Sequence, residues 1–391
     1  MGFNARPVAC NLKKTGATVF VSDYWGDSDL DDCCDEWIAV LSALPGQRQR
    51  QTIGKALHKA LVENMLVLIE ELPPMDLILI GSGFDDYSDS LRPLLDAAPI
   101  IGNTPDGMKR ARDRERIVEL LEDSPVRVPW SIPVAESNFS DLEFPLVLRP
   151  IHSGGGSGIR LIRREETLES VLSDCEDPSG FILQEYVSGL DLSCSVLSTG
   201  NDSRALSVQG QLVGVPSAGV NCTFAYCGNY IPVRISSESQ RTIEEASIEL
   251  CNELSLMGSN GIDFVLNENG EVYLMEINPR IQGSLEMLET ASEISVLSLH
   301  IEAVEGCLPD YDIQFRPTVK MIVYARQDSV VRGLSSLNGI ADRTPDGLRV
   351  NRGDPVCTVV RSGSSIESSY SCCINDAARV SNHLVPTSDT D

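Results

Sequence analysis

The stretch GIDFVLNENGEVYLMEINPR (residues 261–280) leaves the chain little choice of local fold. Asn269-Gly270 is a strong two-residue turn signal between two runs of strand-forming residues, so the segment reads as a β-hairpin. Pairing outward from that turn sets Glu268 against Glu271, Leu266 against Tyr273, and Asp263 against Glu276. Side chains alternate faces along a strand, so Glu276 and Asn278 point the same way and Asp263 faces them from the neighbouring strand. Two directly opposed carboxylates repel unless something positive lies between them. A divalent cation meets that need, and Mg²⁺ in particular takes one or two carboxylates and fills its octahedron with substrate oxygens. Arg280 follows just beyond, where it can hold an anion beside the metal. Taken alone, the pattern also suits a solvated hairpin end with ordinary charges.

Around the hairpin, strands alternate with helices. In the first hundred residues, GFNARPVACNLKKTGATVFVSDYWGDSDL reads as a glycine turn, a helix and a strand over Thr18–Ser22, and MDLILIGSG (75–83) as a buried strand ending in glycines. This order predicts a small parallel α/β domain. Such domains begin with a strand feeding the glycine turn, whereas here the turn starts at Gly2. Either the fold dispenses with that strand or the true start lies upstream of Met1, and the second is the expectation. At Thr104-Pro105 a capped helix begins and is expected to run through DRERIVELLED. VRVPWSIPV is a proline-rich connection. Short strands fill residues 144–206, helices span 236–257 and 284–306, and strands such as TVKMIVYAR recur from Arg316. The final VPTSDTD is expected to fray.

Two further segments carry possible chemistry. FPLVLRPIHSGGGSGIRLI (144–162) is strand, glycine loop, strand. It leads into no helix and lacks G-K-[ST], so it is neither a P-loop nor a dinucleotide fingerprint. Gly154, Gly155 and Gly156, with Ser157 and Gly158, leave backbone N–H groups unshielded, as suits a flap over phosphates or simply a flexible hairpin tip. Arg149 ends the preceding strand within reach of that loop, and His152 is read as an ordinary loop residue. In GFILQEYVSGLDLSCSVL (180–197), an apolar strand enters Gln184, Glu185, Tyr186 and Val187. Their backbone can read an adenine edge, and Asp191 can accept from a ribose hydroxyl; the plain alternative is a strand followed by a loop.

Composition narrows the partners. A net charge of −26 excludes nucleic acid or an anionic membrane as the main partner, because those need a basic face. Lysine is confined to Lys13, Lys14, Lys55, Lys59, Lys109 and Lys320, a pattern of salty cytoplasms or GC-rich genomes that concerns habitat rather than mechanism. No apolar run is long enough to span a bilayer and no secretory leader is recognisable, so a cytoplasmic location is expected. The twelve cysteines include no C-x-x-C pair and no zinc spacing, and all are expected as reduced thiols.

In order, a basic helix start, a strand–glycine loop–strand, QEYVSG and Asp…Glu-X-Asn-Pro-Arg resemble the ATP-grasp superfamily. GFNARP and DYWGD look like the N-terminal domain of its carboligase branch, which is related to biotin carboxylase. The resemblance covers about Gly2 to Gly306 and is most specific in the DF…MEINPR portion. It implies a multidomain α/β and α+β chain: a Rossmann-like pre-ATP-grasp domain over 1–102, an ATP-grasp domain over 103–310 with a small subdomain at about 125–190, and a β-rich C-terminal appendage over 311–391. It further implies ATP as cofactor, with Mg²⁺ (or Mn²⁺ in its place) held by Asp263, Glu276 and Asn278, and Arg280 stabilising the reacting anion. Arg114 and Arg149 fall where the family has ATP-phosphate lysines; the charge is kept but a planar fork replaces a point charge, and Lys109 lies near enough to substitute for Arg114. Gln184, Glu185, Tyr186 and Val187 would line the adenine, and Asp191 would take the ribose.

One departure from biotin carboxylases is informative. Those enzymes follow Asn-Pro-Arg with a Val-Glu-His stretch that serves bicarbonate chemistry, whereas this chain reads IQGSLEML and has no biotinyl Met-Lys-Met motif. Gly283 and Ser284 look instead like a loop receiving a substrate carboxylate. The resemblance thus implies a carboxylate–amine ligase that forms an acyl phosphate and passes it to an amine, with small-molecule partners and a homodimer compatible with the class. A bicarbonate-using carboxylase and a non-catalytic ATP-binding protein of the same fold are the competing readings.

Overall fold

Helices and strands alternate from the outset of the computed structural model, which describes residues 1–41, 45, 56–134, 142–152, 154–173 and 177–387. The N-terminal part comprises α1 (Arg6–Lys14), β1 (Phe20–Asp23), β2 (Glu36–Ala39), α2 (Leu57–Glu71), β3 (Ile78–Leu79) and β4 (Ile100–Ile101). β1 pairs with β2, and β3 with β4, both in parallel. Residues 1–3 run between β1 and β3. Gly2 N donates to Ser22 O (3.1 Å), Phe3 N to Ser82 O (2.8 Å) and Gly81 N to Met1 O (2.8 Å). The apolar face of α2, with Leu61, Met65 and Leu68, closes the core over Ile78, Ile80 and Phe84.

The expected single helix after Thr104 is two: α3 (Pro105–Arg110) and α4 (Arg114–Leu120). Thr104 caps α3 by accepting from Gly107 N, a cap worth about 1 kcal/mol. Asp113 restarts the helix by accepting from Arg116 N, which the uniform helical spacing concealed. The proline-rich connection also contributes a strand. β5 (Ser131–Pro133) joins β6 (Leu146–Pro150), β7 (Arg160–Ile162) and, after α5 (Glu165–Ser173), β8 (Phe181–Glu185), in a sheet of order β5-β8-β6-β7. The glycine loop is the turn between β6 and β7.

The main sheet begins with β9 (Gly189–Thr199), β10 (Ser203–Val213) and β11 (Tyr226–Ile231). Next come α6 (Ser237–Glu253), β12 (Met257–Asn267), β13 (Val272–Asn278), α7 (Leu285–Ser292) and α8 (Val296–Val304). α7 and α8 correct the expected continuous helix over 284–306: Glu293 turns left-handed at φ 61° and Ser295 caps a new start. The chain continues through β14 (Thr318–Tyr324), β15 (Ser329–Val331), β16 (Ile340–Ala341), β17 (Arg349–Val350), β18 (Pro355–Ser362), α9 (Ile366–Ser381) and β19 (Leu384–Pro386). Strands on both sides of residue 310 share one eight-stranded sheet of order β13-β12-β9-β10-β11-β14-β18-β16, and β17-β15-β19 form a small separate one.

α6 seals one part of the main sheet through Ile243, Leu250 and Cys251 against Val196, Ile262 and Phe264. α9, an element the sequence reading omitted, seals another through Cys373, Ala377 and Val380 against Val319, Met321 and Val359. Its start is fixed by a reciprocal cap between Ser365 and Ser368. Of the closing VPTSDTD, Val385 and Pro386 lie in β19, and residues 388–391 fall outside the described residues.

The cysteines require one correction. Cys10 on α1 and Cys33 before β2 form a disulfide, because α1 packs across the end of β1 and brings together two residues that are 23 apart in sequence. Among the described residues no helix is long and apolar enough to cross a membrane.

Candidate active site

The β12–β13 hairpin delivers its carboxylates by a route the sequence reading did not foresee. The turn is one residue longer than Asn-Gly alone: Asn267 N donates to Glu271 O (3.0 Å), and Gly270 sits at φ 82°, the left-handed position of a three-residue hairpin loop. Pairing therefore starts as Leu266 with Val272 and Phe264 with Leu274. A β-bulge at Met275 then inserts one residue and restores Asp263 opposite Glu276. Bulges re-aim side chains, and here both Met275 and Glu276 line the same cavity.

That cavity is about 750 Å³, well within the range of small-molecule sites. Asp263, Glu276 and Asn278 all face it, as does Arg280. Asn278 Nδ2 donates to Asp263 Oδ2 (2.9 Å), and Ser193 Oγ on β9 donates to Asp263 Oδ1 (2.7 Å). Burial, and then the neighbouring Glu276, push the Asp263 carboxyl up to about 6. Arg280 donates through Nε to both oxygens of Asp85 (2.9 and 3.1 Å) and through Nη2 to Asn278 Oδ1 (3.2 Å). Burial works against its charge, but Asp85, Glu276 and Asp263 outweigh burial and hold its pKa above the ordinary arginine value. Arg112 bridges Asp86 (2.7 Å) and Glu276 Oε1 (2.9 Å). Four carboxylates thus meet two guanidinium groups, and the donor set is oxygen-rich. Among the described residues no three acidic, histidine or cysteine side chains converge at metal-binding spacing, so a divalent cation here would take Asp263, Glu276 and Asn278 with oxygens of a ligand completing its shell.

The other side of the cavity is built for an anion. Among the described residues, Arg149 at the end of β6 has a buried Nε with no hydrogen-bond partner, and Gln184 on β8 has an equally orphaned Nε2. Leaving such donors unmet costs about 1–3 kcal/mol each, and both residues line the cavity beside Glu185, Tyr186, Val187 and Asp191. Asp191, on β9 after the hinge, has its carboxyl pushed up to about 6 by burial. The glycine loop forms the roof. Gly154, Gly155, Gly156 and Ser157 line the same cavity, and Tyr226 N donates to Gly155 O (3.2 Å). At Gly156, with φ 80°, a Cβ would overlap the Phe224 carbonyl, so only glycine permits this approach.

Arg114 is the one expected site residue that lies outside this cavity. It opens α4 onto an adjoining cleft of about 1260 Å³ that Lys109 and Arg149 also line. Burial, and then the nearby Arg149, lower its pKa, and it donates to Pro129 O. His152, read as a loop residue, stacks obliquely on Tyr87 at 5.4 Å and borders both spaces.

Several cavity residues escaped the sequence reading. Asp85 and Asp86 follow β3 in GSGFDD, at the carboxyl end of a parallel strand, where α/β folds place ligands; that signal was available. Lys320 was also legible as a lone charge inside the apolar run TVKMIVYAR. It is 3% exposed, and its Nζ donates to Gly283 O at 2.6 Å. Arg112 gave no signal, because its partners come from two distant segments.

Fold and site together define the class: residues 111–284 match the ATP-grasp domain model, and the chain has the ATP-grasp fold. Its relatives and structural neighbours are consistent with this. An uncharacterized protein of Methanocaldococcus jannaschii is 24% identical over 92% of this chain and 86% of its own length. The biotin carboxylase domain of Hydrogenobacter thermophilus 2-oxoglutarate carboxylase was crystallised as a dimer with MgADP, ADP and bicarbonate. It superposes with a TM-score of 0.71 at 14% identity over 99% of this chain and 90% of that one. N5-carboxyaminoimidazole ribonucleotide synthetase in its ADP complex gives a TM-score of 0.69 at 17% identity, over 98% of this chain and 95% of that one.

Proposed function

We propose that this chain is an ATP- and Mg²⁺-dependent ligase that activates a carboxylate as an acyl phosphate and joins it to an amine. The observation that carries the reading is one cavity in which the opposed pair Asp263–Glu276 shares space with the orphaned cationic donor of Arg149. Asp263, Glu276 and Asn278 would hold Mg²⁺, which when bound neutralises phosphate charge. Arg149, with Arg114 or Lys109 from the adjoining cleft, faces the phosphates. Backbone groups of Gln184–Val187 meet the adenine, and Asp191 accepts from the ribose. The glycine roof excludes water from a hydrolysable intermediate.

In the first step a substrate carboxylate oxygen bonds to the γ-phosphorus of ATP and the bond to ADP breaks. In the second, a neutral amine attacks the acyl carbon and the carbon–oxygen bond to phosphate breaks. The amine's proton leaves with that phosphate. Arg280, clamped by Asp85, is set to stabilise the developing negative charge, and Lys320 and Ser284 lie beside the Gly283 loop where a carboxylate would dock. Every step is positioning and charge neutralisation, and no nucleophilic side chain is needed.

The test is Mg²⁺-dependent ADP release by the full chain with pooled carboxylates and amines, with bicarbonate added or omitted, and with hydroxylamine to trap any acyl phosphate as a hydroxamate. ADP release and hydroxamate should require a carboxylate pool, and Glu276→Gln should lower both by at least about 10²-fold. Release driven by bicarbonate alone would overturn the reading in favour of a carboxylase. ATP binding without release in any pool would favour a non-catalytic protein.

A further inference from the structure

The DYWGD segment that closes β1 is not explained by the nucleotide or the metal. Asp23 is buried and folds the segment back by accepting from Ala5 N (2.8 Å), Trp25 N (2.7 Å) and Gly26 N (2.9 Å). This stacks Tyr24 on Phe3 at 4.8 Å and sets Trp25 edge-on to Phe3 at 5.1 Å. Phe3, Trp25 and Asp27 then line the cavity at the end away from the Gln184 hinge, together with Lys320 and Asp342.

This end is short of positive charge. Asp27 is 4% exposed, and among the described residues nothing donates a hydrogen bond to its carboxylate. Asp342, 8% exposed, takes Arg6 Nε on Oδ1 (2.5 Å), while its Oδ2 has no hydrogen-bond partner among the described residues. Arg6 is also spent on Glu286 (2.6 Å) and Asp29 (3.4 Å), and Lys320 lies 3.7 Å from Glu286. Three buried carboxylates, of Asp27, Asp29 and Asp342, and the half-buried Glu286 therefore share Arg6 and Lys320, and Asp27 and Asp342 line the cavity. Burial, and then the neighbouring acids Asp342, Asp23 and Asp29, raise the Asp27 pKa well above the ordinary value, so a positive ligand is what would hold this unpartnered carboxyl in its charged form. An organic cation fits, because Trp25 and Phe3 add aromatic walls that attract one.

We propose that this end of the cavity, at Asp27 and Asp342, binds a positively charged nitrogen group that takes no part in the reaction, so that the amine substrate is a diamine or a basic amino acid. A nitrogen held between buried carboxylates and aromatic rings stays protonated and has no lone pair for attack. The attacking nitrogen must therefore be a second one on the same molecule. The word substrate rests on the ligase reading above; the cation pocket does not.

Isothermal titration of the full chain with diaminobutane, butylamine, n-butanol and glutarate tests the pocket without turnover. Diaminobutane and butylamine, each able to seat one ammonium group, are expected to bind at least about tenfold tighter than n-butanol or glutarate. Asp27→Asn should erase that preference, and Trp25→Phe, a milder change, should reduce it several-fold. The proposal is overturned if neither amine binds, if n-butanol or glutarate binds as tightly, or if Asp27→Asn keeps the preference. Cation preference without ADP release in any pool would leave the pocket standing and remove the ligase reading. Hydroxamate formation without cation preference would do the reverse.

Discussion

The two ends of the cavity are charged in opposite senses, and each is left incomplete in its own way. At the hinge end, Arg149 and Gln184 present buried donors with no acceptor among the described residues, and burial, then the nearby Arg149, lowers the Arg114 pKa. At the DYWGD end, Asp342 Oδ2 is unpaired and Asp27 accepts no hydrogen bond among the described residues, while Arg6 is divided among three acids. Isolated folding would favour pairing these surpluses with one another. They are instead held apart on different elements, β6 and β8 against residues 25–29 and 342. Unmet donors call for an anionic ligand and unmet acceptors for a cationic one.

The comparison is broken most directly at Arg6, whose side chain is 5% exposed. If the acidic end depends on that one guanidinium, Arg6→Ala should cost about 3–5 kcal/mol in urea unfolding, since it strands several buried carboxylates at once. A loss under about 1 kcal/mol would mean that water already relieves the cluster, and the contrast between the two ends would collapse.

The opposite end should respond in binding rather than in folding. Arg149→Ala is expected to weaken ATP, measured by calorimetry, by about 1.5–3 kcal/mol, the worth of a hydrogen bond to a charged group. It should leave unfolding unchanged or slightly improved, because it also relieves the repulsion on Arg114. Arg149→Lys should recover only part of the affinity, since a point charge replaces a planar fork. A substantial loss of stability in Arg149→Ala would show that its guanidinium is structural and not reserved for a ligand.

The sequence disclosed the two ends unequally. Asp263 was placed opposite Glu276 through two errors that cancel: the turn takes one more residue than Asn-Gly implies, and the Met275 bulge inserts one on the other strand. Local patterning sees neither, because a bulge is set by what the strand must face. The glycine loop and the hinge were legible because their constraints are local. The partnerships of Arg112 and Arg6 were not, because each joins segments far apart in sequence: Arg112 reaches Asp86 and Glu276, and Arg6 reaches Glu286 and Asp342. The same holds for the Cys10–Cys33 disulfide. Two helices were read as continuous because Asp113 and Ser295, which restart them, fit a helical pattern as ordinary polar residues. α9 escaped because its sequence is serine-rich and its buried face, Ser369, Cys373, Asp376, Ala377 and Val380, has few large apolar residues.

The smallest expected effect sharpens the comparison within the hinge end. Asp191 has a carboxyl pushed up to about 6 by burial, from an ordinary value of 3.8. Folding therefore favours its protonated form, and the stability this gives is fully present below the unfolded value and lost as pH rises through about 6. Asp191→Asn removes the titration. The variant should match wild type in unfolding free energy near pH 4 and exceed it by about 1–2 kcal/mol at pH 7.5 in the absence of nucleotide. If Asp191 accepts from the ribose, ATP restores the balance at pH 7.5, because a hydroxyl donor satisfies the carboxylate, and the variant binds ATP several-fold more weakly. A gap that stays constant with pH would mean that the carboxylate is hydrated when folded. A pH-dependent gap that ATP leaves untouched would remove Asp191 from the nucleotide site while keeping it as a buried, unsatisfied acid.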